Sequence, residues 1–461
     1  MSTIKQTEDK DNVIDGYDRF SSHQYLSPTR GVLPLVIYPN EEQTGQLTDA
    51  HCSILRSLGF NSVVTKGTEE ELLENISILI NNGLMPIPTH DIFNPSNKKL
   101  IAGLTDKLSE LVAKLDRKEK LGGIFTGYCG SLEDLDVLKA IVSAIDTGLG
   151  CTKLPSIKDV TSVTNQRTLQ IHLIPEQSSR LIFSIPDLSI KDAESKFFAA
   201  KTQTCAGPGV WLSDSKATTK DSANVEKTRL KEFFNNLEIL TVMSNYTSRP
   251  IWGKVNEGSY ASMLLESMNA LAYGAQGLFF TQSSNNGSKV SSVPSTANPW
   301  YKLINRIKQF EGIFLNGKTI DVRHLLDSSV SSDCYFAEFK NTMGPLIRIS
   351  PVKASPIKAT TDSNLTISHI SLMPMNSMLN NDIFNDETLD FLVIVNNSIT
   401  ATRAYRLELN PYYQVYEVQS AKITNPADRS KNTLEEELVV TTNGVIERRI
   451  APGDVLILRW K

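Results

Sequence analysis

Apolar and polar positions follow two different rhythms along the chain, and the change of rhythm divides it. Residues 32–38 (VLPLVIY) are almost wholly apolar and stop at Pro39 and Asn40, ahead of Glu41 and Glu42. That pattern predicts a strand buried on both faces. Ile54, Leu55 and Leu58 follow at helical spacing, closed by Gly59, and residues 62–64 (SVV) return to extended, β-branched character. The unit then recurs: Leu72, Ile76, Leu79 and Ile80 mark a helix, Gly83 falls where a left-handed cap residue belongs, and residues 85–88 begin another short strand. Two later instances are LGGIF ahead of a helix carrying Leu135, Leu138, Ile141, Val142 and Ile145, and LLESMNALAYGAQGLFF, which joins helix to strand through Gly274 and Gly277.

Strands alternating with amphipathic helices over residues 32–316 imply parallel pairing with right-handed crossovers. About 280 residues of such alternation match a (β/α)8 TIM barrel. A doubly wound open sheet is the alternative, although no GxGxxG or P-loop glycine pattern follows the first strand. Residues 146–224 are less regular, with TLQIHLI, RLIFSI and GVWL as strand candidates among long loops. After a helix of Leu303, Ile304, Ile307, Phe310 and Phe314 the period shifts toward two, in runs such as LIRIS, DFLVIVNN, YRLEL, YQVYEV, ELVVTT and VLILRW. An antiparallel β-sandwich is expected there, its final strand packing alternate residues inward. The predicted organisation is a polar N-terminal tail (1–30), a barrel (31–320) and a C-terminal β-sandwich (321–461).

Composition narrows the partners. The 461 residues are 40% hydrophobic and 21% charged, enough for a large core, and Lys plus Arg (47) nearly balance Asp plus Glu (51). A net charge of -4 gives no field to draw in nucleic acid or an anionic membrane. No apolar run is long enough for a membrane span, and the polar first 30 residues are unlike a signal peptide, so export requires a leader ahead of Met1 and the chain as written reads as cytoplasmic. Five cysteines without a CxxC pair, and histidines without ligand spacing, predict no metal and no other cofactor. The NxS/T sequons at Asn75, Asn245, Asn286, Asn364 and Asn396 are what an Asn- and Ser-rich chain produces by chance. The sequence sets no oligomeric state.

In a barrel the reactive face is built at the carboxyl ends of the strands. The candidates by that rule are Tyr38, His90 with Asp91, Tyr128 with Cys129, His172, Trp211 with Asp214, Trp252 with Glu257, and Gln282. Aromatic faces beside carboxylates and amides suit a carbohydrate ligand. Each has a plainer explanation: tryptophans at strand ends as packing, His90 as a loop-bonded structural histidine, and Glu257 as a charge near a helix N-terminus. No GxSxG elbow is present to expose a serine nucleophile.

The segment RPIWGKVNEGSYASMLLESMNALAYGAQGLFF, and most specifically Ala-Tyr-Gly-Ala-x-Gly at 272–277, resembles the seventh and eighth strand region of (β/α)8-barrel glycoside hydrolases of the beta-galactosidase-like superfamily. LGGIFTGYCGSLEDLDVLKAIV and the ending APGDVLILRW extend the resemblance over most of the chain. It implies a glycoside hydrolase acting on an oligosaccharide or polysaccharide, with Glu257 as nucleophile or base. Such enzymes carry Asp-Glu-Pro at the end of the fourth strand, where the glutamate is the acid/base, and here Tyr128-Cys129-Gly130 stands in its place. Glu133 and Asp134 are the nearest substitutes, with Asp91, Glu176 and Asp214 on other loops; acids in the first turn of a helix near Leu132 are favoured there without catalysis. A barrel that binds carbohydrate without cleaving it is the alternative. The sandwich is expected to buttress the barrel, with Tyr412, Tyr413 and Tyr416 readable as interstrand packing.

Overall fold

The computed structural model describes residues 33–38, 47–90, 104–114, 121–122, 124–128, 156–159, 168–173, 181–186, 204–205, 234, 237, 251–282, 297–326, 329–330, 346–351, 365–372, 389–422, 433–439 and 443–461. The tail at 1–30 and the helix expected over 132–145 lie outside them. The first part of the chain contains β1 (Leu35–Tyr38), α1 (Asp49–Leu58), β2 (Ser62–Thr65), α2 (Glu69–Asn81), β3 (Met85–Pro88), α3 (Leu104–Lys114), β4 (Ile124–Tyr128), β5 (Ser156–Asp159), β6 (Thr168–Leu173), β7 (Leu181–Pro186), β8 (Thr204–Cys205), β9 (Ile251–Asn256), α4 (Tyr260–Ala272), β10 (Leu278–Thr281), α5 (Pro299–Gln309) and α6 (Glu311–Asn316).

Local chemistry fixes the ends of these elements. Thr48 caps α1, and Gly59, at φ +104°, turns the chain out of it in a conformation that costs a glycine little. Thr68 and Glu71 form a reciprocal capping box at the start of α2, which also draws the Glu71 carboxyl below its ordinary pKa.

A six-stranded sheet has the order β3-β2-β1-β10-β9-β8, and each of its pairings is parallel. Among the described residues the neighbour of β1 is therefore the last parallel strand, followed by β9 and β8 in descending order. A doubly wound sheet would instead place there the strand that opens its second half. Strands β4 and β5 form a separate parallel pair, and the Gly122 N–H donates to the Pro86 carbonyl (2.9 Å), which sets the approach to β4 beside β3.

The sheet has an apolar helix-facing side and a mixed opposite side. Phe280 meets Phe60 and Trp300 of the helical layer at centroid distances of 5.6 and 5.7 Å. Its neighbour Phe279 points the other way, to Phe125 (5.4 Å) and Tyr38 (6.2 Å). On β9, a Cβ at Gly253 would fall 2.4 Å from the Ala270 Cβ, so α4 lies too close to the strand for any larger residue.

The second part contains β11 (Lys318–Leu326), β12 (Ser329–Val330), β13 (Leu346–Pro351), β14 (Leu365–Leu372), β15 (Leu389–Asn396), β16 (Arg403–Leu409), β17 (Val415–Lys422), β18 (Thr433–Leu438), β19 (Val445–Ile450) and β20 (Val455–Trp460). They form a seven-stranded sheet, β12-β11-β14-β15-β20-β17-β18, and a three-stranded sheet, β13-β16-β19, with antiparallel pairing throughout. At the outer edge β18 (TLEEEL) is exposed or half-exposed along its length.

Strands β15 and β20 of the larger sheet are covered on both sides. Phe391, Val393 and Val395 of β15, with Val455 and Ile457 of β20, join the core shared with α4 and α5, whereas Leu392, Ile394, Leu456 and Leu458 pack against Tyr405, Leu407 and Ile446 of the smaller sheet. The expectation that β20 turns only alternate residues inward is corrected: its first five residues are all buried. Tyr412 is also corrected, because at 92% exposure on the β16–β17 turn it packs against no strand, and Tyr413 is 41% exposed. Two sequon asparagines are buried structural residues: Asn75 accepts from the Leu47 N–H, and Asn396 donates to the Ala401, Ile450 and Ala451 carbonyls.

Candidate active site at the carboxyl ends of the parallel strands

Register alignment brings residues from distant parts of the chain into rows. Tyr38, Thr281 and Asn256 are cross-strand partners at the carboxyl ends of β1, β10 and β9, and Val36, Phe279 and Lys254 form a row nearer the amino ends. Backbone pairing continues one residue past the strands. The Glu257 N–H donates to the Thr281 carbonyl (2.9 Å), the Gln282 N–H to the Tyr38 carbonyl (3.3 Å), and the Thr89 N–H to the Thr65 carbonyl (2.9 Å). Above this edge the Thr281 hydroxyl donates to Asn256 Oδ1 (2.8 Å), tying two neighbouring ends together through side chains.

Glu257 adjoins this row at the end of β9. It is 4% exposed, its amide is fixed by β10, and it directly follows the last residue of β9. Ser259 is the N-cap of α4, so Glu257 stands two residues ahead of the cap, and the first turn of that helix contains no acid. A carboxylate in the first turn is the usual way a helix dipole is exploited, and Glu257 does not occupy that place. Tyr38 is half-buried, with its ring against Phe125 (5.8 Å) and Phe279. His90 is half-buried two residues beyond β3. Tyr128 ends β4.

Several predicted residues do not join this edge. Trp252 is the second residue of β9, at the amino end, 5% exposed, and its indole fills the space over Gly277, where a Cβ would fall 2.8 Å from Cδ1. Its expected place beside Glu257 is thus corrected: four residues of extended chain lie between the two along the strand, and the Trp252 ring is packing. His172 lies within β6, which pairs antiparallel with β7 as a separate hairpin, so it ends no parallel strand. Glu133, Asp134, Asp91, Glu176, Trp211 and Asp214 lie outside the described residues.

Two carboxylates escaped the sequence reading. Asp159 ends β5 and is the cross-strand partner of Tyr128, so it stands at the carboxyl end of a parallel strand; four residues with a lysine among them gave too weak a strand signal. Glu266 lies inside α4 at 2% exposure, and its Oε2 accepts the Asn256 backbone N–H (2.9 Å). The visible signal was a lone acid in an apolar helix, LLESMNALA. Among the described residues no group of three or more His, Cys, Asp and Glu is arranged to hold a metal ion, and no helix is long and apolar enough to cross a membrane.

No family model matches the sequence, and no curated protein matches it. Among solved structures, a family 39 glycoside hydrolase from the gut symbiont Bacteroides cellulosilyticus WH2 aligns over 94% of this chain and 82% of its own, at 9% identity and a TM-score of 0.45. A GH5-4 broad specificity endoglucanase from Clostridium acetobutylicum aligns over 64% of this chain and 100% of its own, at 11% identity and a TM-score of 0.36. An HpcH/HpaI aldolase from Desulfitobacterium hafniense DCB-2 aligns over 59% and 91%, at 8% identity and a TM-score of 0.31.

Proposed function

We propose that the parallel strands close into a (β/α)8 barrel whose carboxyl mouth holds a carbohydrate, and that the chain is a glycoside hydrolase of oligosaccharides or polysaccharides with Glu257 as nucleophile or base. Closure is supported by the pairing of β1 with β10, by the Gly122–Pro86 bond beside β4 and by the approach of β5 to β8. The observation that carries the chemistry is a nearly buried glutamate whose amide is bonded to the Thr281 carbonyl one residue past the carboxyl end of a parallel strand, next to the row of Tyr38, Thr281 and Asn256.

Glycoside hydrolysis needs a second carboxyl group to protonate the leaving oxygen. Asp159, at the end of β5, fits that place by strand position, with Glu133 as the sequence-based candidate. Tyr38, His90 and Tyr128 would line the sugar, with Asp91, Trp211 and Asp214 from the loops. Asn256 and the Thr281 hydroxyl, already bonded to each other, offer further hydrogen bonds to ring hydroxyls.

One observation favours a second reading, a barrel that holds carbohydrate without cutting it. Strand β4 ends at Tyr128, and Tyr128-Cys129-Gly130 stands where the resembling hydrolases carry Asp-Glu-Pro, so the sequence has a cysteine at the position of their acid. A single pair of measurements separates the two. Release of reducing ends is assayed on a panel of aryl glycosides and plant and host glycans, with wild type and Glu257→Gln. Hydrolysis reduced by about 10²–10⁴-fold in the variant supports catalysis by Glu257. Binding of a glycan by both proteins with turnover by neither establishes the binding reading, and undiminished turnover in Glu257→Gln refutes the assignment of Glu257.

A further inference from the structure

The buried polar contacts of α4 run in two directions. Toward the parallel sheet, the Glu266 carboxylate accepts the N–H of Asn256, the residue that precedes Glu257. A charge-assisted bond to a backbone amide is roughly twice as strong as a neutral one, and burying a carboxylate is costly without it. Toward the sandwich, three side chains close a cycle: Asn269 Nδ2 donates to Asn397 Oδ1 (2.8 Å), Asn397 Nδ2 to Thr366 Oγ1 (2.9 Å), and the Thr366 hydroxyl back to Asn269 Oδ1 (2.5 Å). At the end of the helix the Ser368 hydroxyl donates to the Ala272 carbonyl (2.7 Å), and the Tyr273 hydroxyl meets His324 Nε2. At its start Gly453 presses on the backbone, where a Cβ would fall 2.3 Å from the Ala261 carbonyl oxygen. One helix is thus bonded on one side to the strand end that carries Glu257 and on the other to β11, β14 and the segment after β15.

We infer that the sandwich is a positioning element of the candidate active site: acting through α4, the Asn269–Asn397–Thr366 cycle and Glu266 hold the backbone on which Glu257 is mounted. This rests on the reading of Glu257 given above, and it makes Glu266 and Asn397 positioning residues that touch no substrate. A merely buttressing sandwich would stabilise the barrel as a whole; a positioning one controls the strand end locally.

Hydrogen–deuterium exchange on the full chain distinguishes these, using wild type, Glu266→Ala, Glu266→Gln and Asn397→Ala. Exchange in a peptide spanning 251–259 rises about fivefold or more in Glu266→Ala and Asn397→Ala, the equivalent of one buried hydrogen bond, while peptides of β1 to β3 keep wild-type rates. Glu266→Gln, which keeps an acceptor oxygen, restores protection relative to Glu266→Ala. Wild-type exchange at 251–259 in Asn397→Ala overturns the inference, as does a uniform rise across β1 to β3. On a hydrolysed substrate, kcat falls by up to roughly 100-fold in Glu266→Ala with KM nearly unchanged; kcat equal to wild type overturns the inference. Full turnover in Glu257→Gln overturns the reading of Glu257 instead, and leaves the exchange result to decide the coupling by itself.

Discussion

Acid should loosen this protein through one histidine. His324 lies on β11 with its ring enclosed: Nε2 meets the Tyr273 hydroxyl, Nδ1 is 3.3 Å from Thr366 Oγ1, and the Phe234 ring is 4.3 Å away. Burial disfavours the imidazolium and pushes the His324 pKa down to about 4 from an ordinary 6.5. The folded protein therefore keeps this ring neutral across the range in which the unfolded chain takes up its proton. Above pH 6.5 neither state is protonated and stability is undiminished. From pH 6.5 down to about 4 the unfolded state binds the additional proton, so stability falls with pH and then levels off once both states are protonated. At about 1.4 kcal/mol per pH unit, the separation of the two pKa values amounts to about 3 kcal/mol. Urea unfolding of wild type and His324→Gln at pH 4, 5, 6 and 7 measures it. Glu311 and Asp321, whose carboxyls burial pushes upward, titrate in both proteins and cancel in the difference. The stability advantage of wild type over the variant should shrink by about 3 kcal/mol between pH 7 and pH 4. A constant difference would refute a buried, neutral His324 between α4 and the antiparallel sheet.

Other variants test the packing. Gly453→Ala combines a positive φ of +70° with a clash against the backbone of α4 and should cost about 2–5 kcal/mol, whereas Gly83→Ala, at φ +71° with only the Arg56 guanidinium 3.5 Å away, should cost about 1 kcal/mol; equal urea midpoints would contradict this. Cys52 is buried and its thiol is pushed up to about 11 by desolvation and by Asp49, so peptide mass analysis after iodoacetamide at pH 8 should find Cys52 unmodified in the folded chain and alkylated in urea. Tyr412→Ala should change stability by less than about 0.5 kcal/mol by the same unfolding assay, since its ring is nearly fully exposed.

The parts of the fold most legible in the sequence are those where local chemistry and pattern agree. Gly59 and Gly83 were readable as helix ends because only the left-handed region turns the chain there, and both have positive φ. Strand β14 (LTISHISL) was not recognisable as a core element, because Thr366 and Ser368 are polar positions turned inward. They are tolerated because each is spent on α4, Ser368 on the Ala272 carbonyl and Thr366 on Asn269. The same conflict hid Glu266, whose partner is a backbone amide ten residues back and leaves no trace in periodicity. Trp252 misled in the opposite sense: spacing identifies the strand but not where within it the rim begins, and only register with β10 places Asn256, not Trp252, at the carboxyl end. The double covering of β15 and β20 was hidden because runs such as DFLVIVNN fit a strand with one face or two, and the partner that decides lies far away in sequence.

The outer margin of the large sheet has its own significance for how copies of this chain behave together. An uncovered strand offers a ladder of amides and carbonyls on which a second molecule can add. Strand β18 meets that hazard with Glu435, Glu436 and Glu437 in succession, of which Glu436 grips Arg459 and Glu435 takes the Ser420 hydroxyl. A copy arriving edge to edge would lay glutamate against glutamate, so this margin repels its own kind.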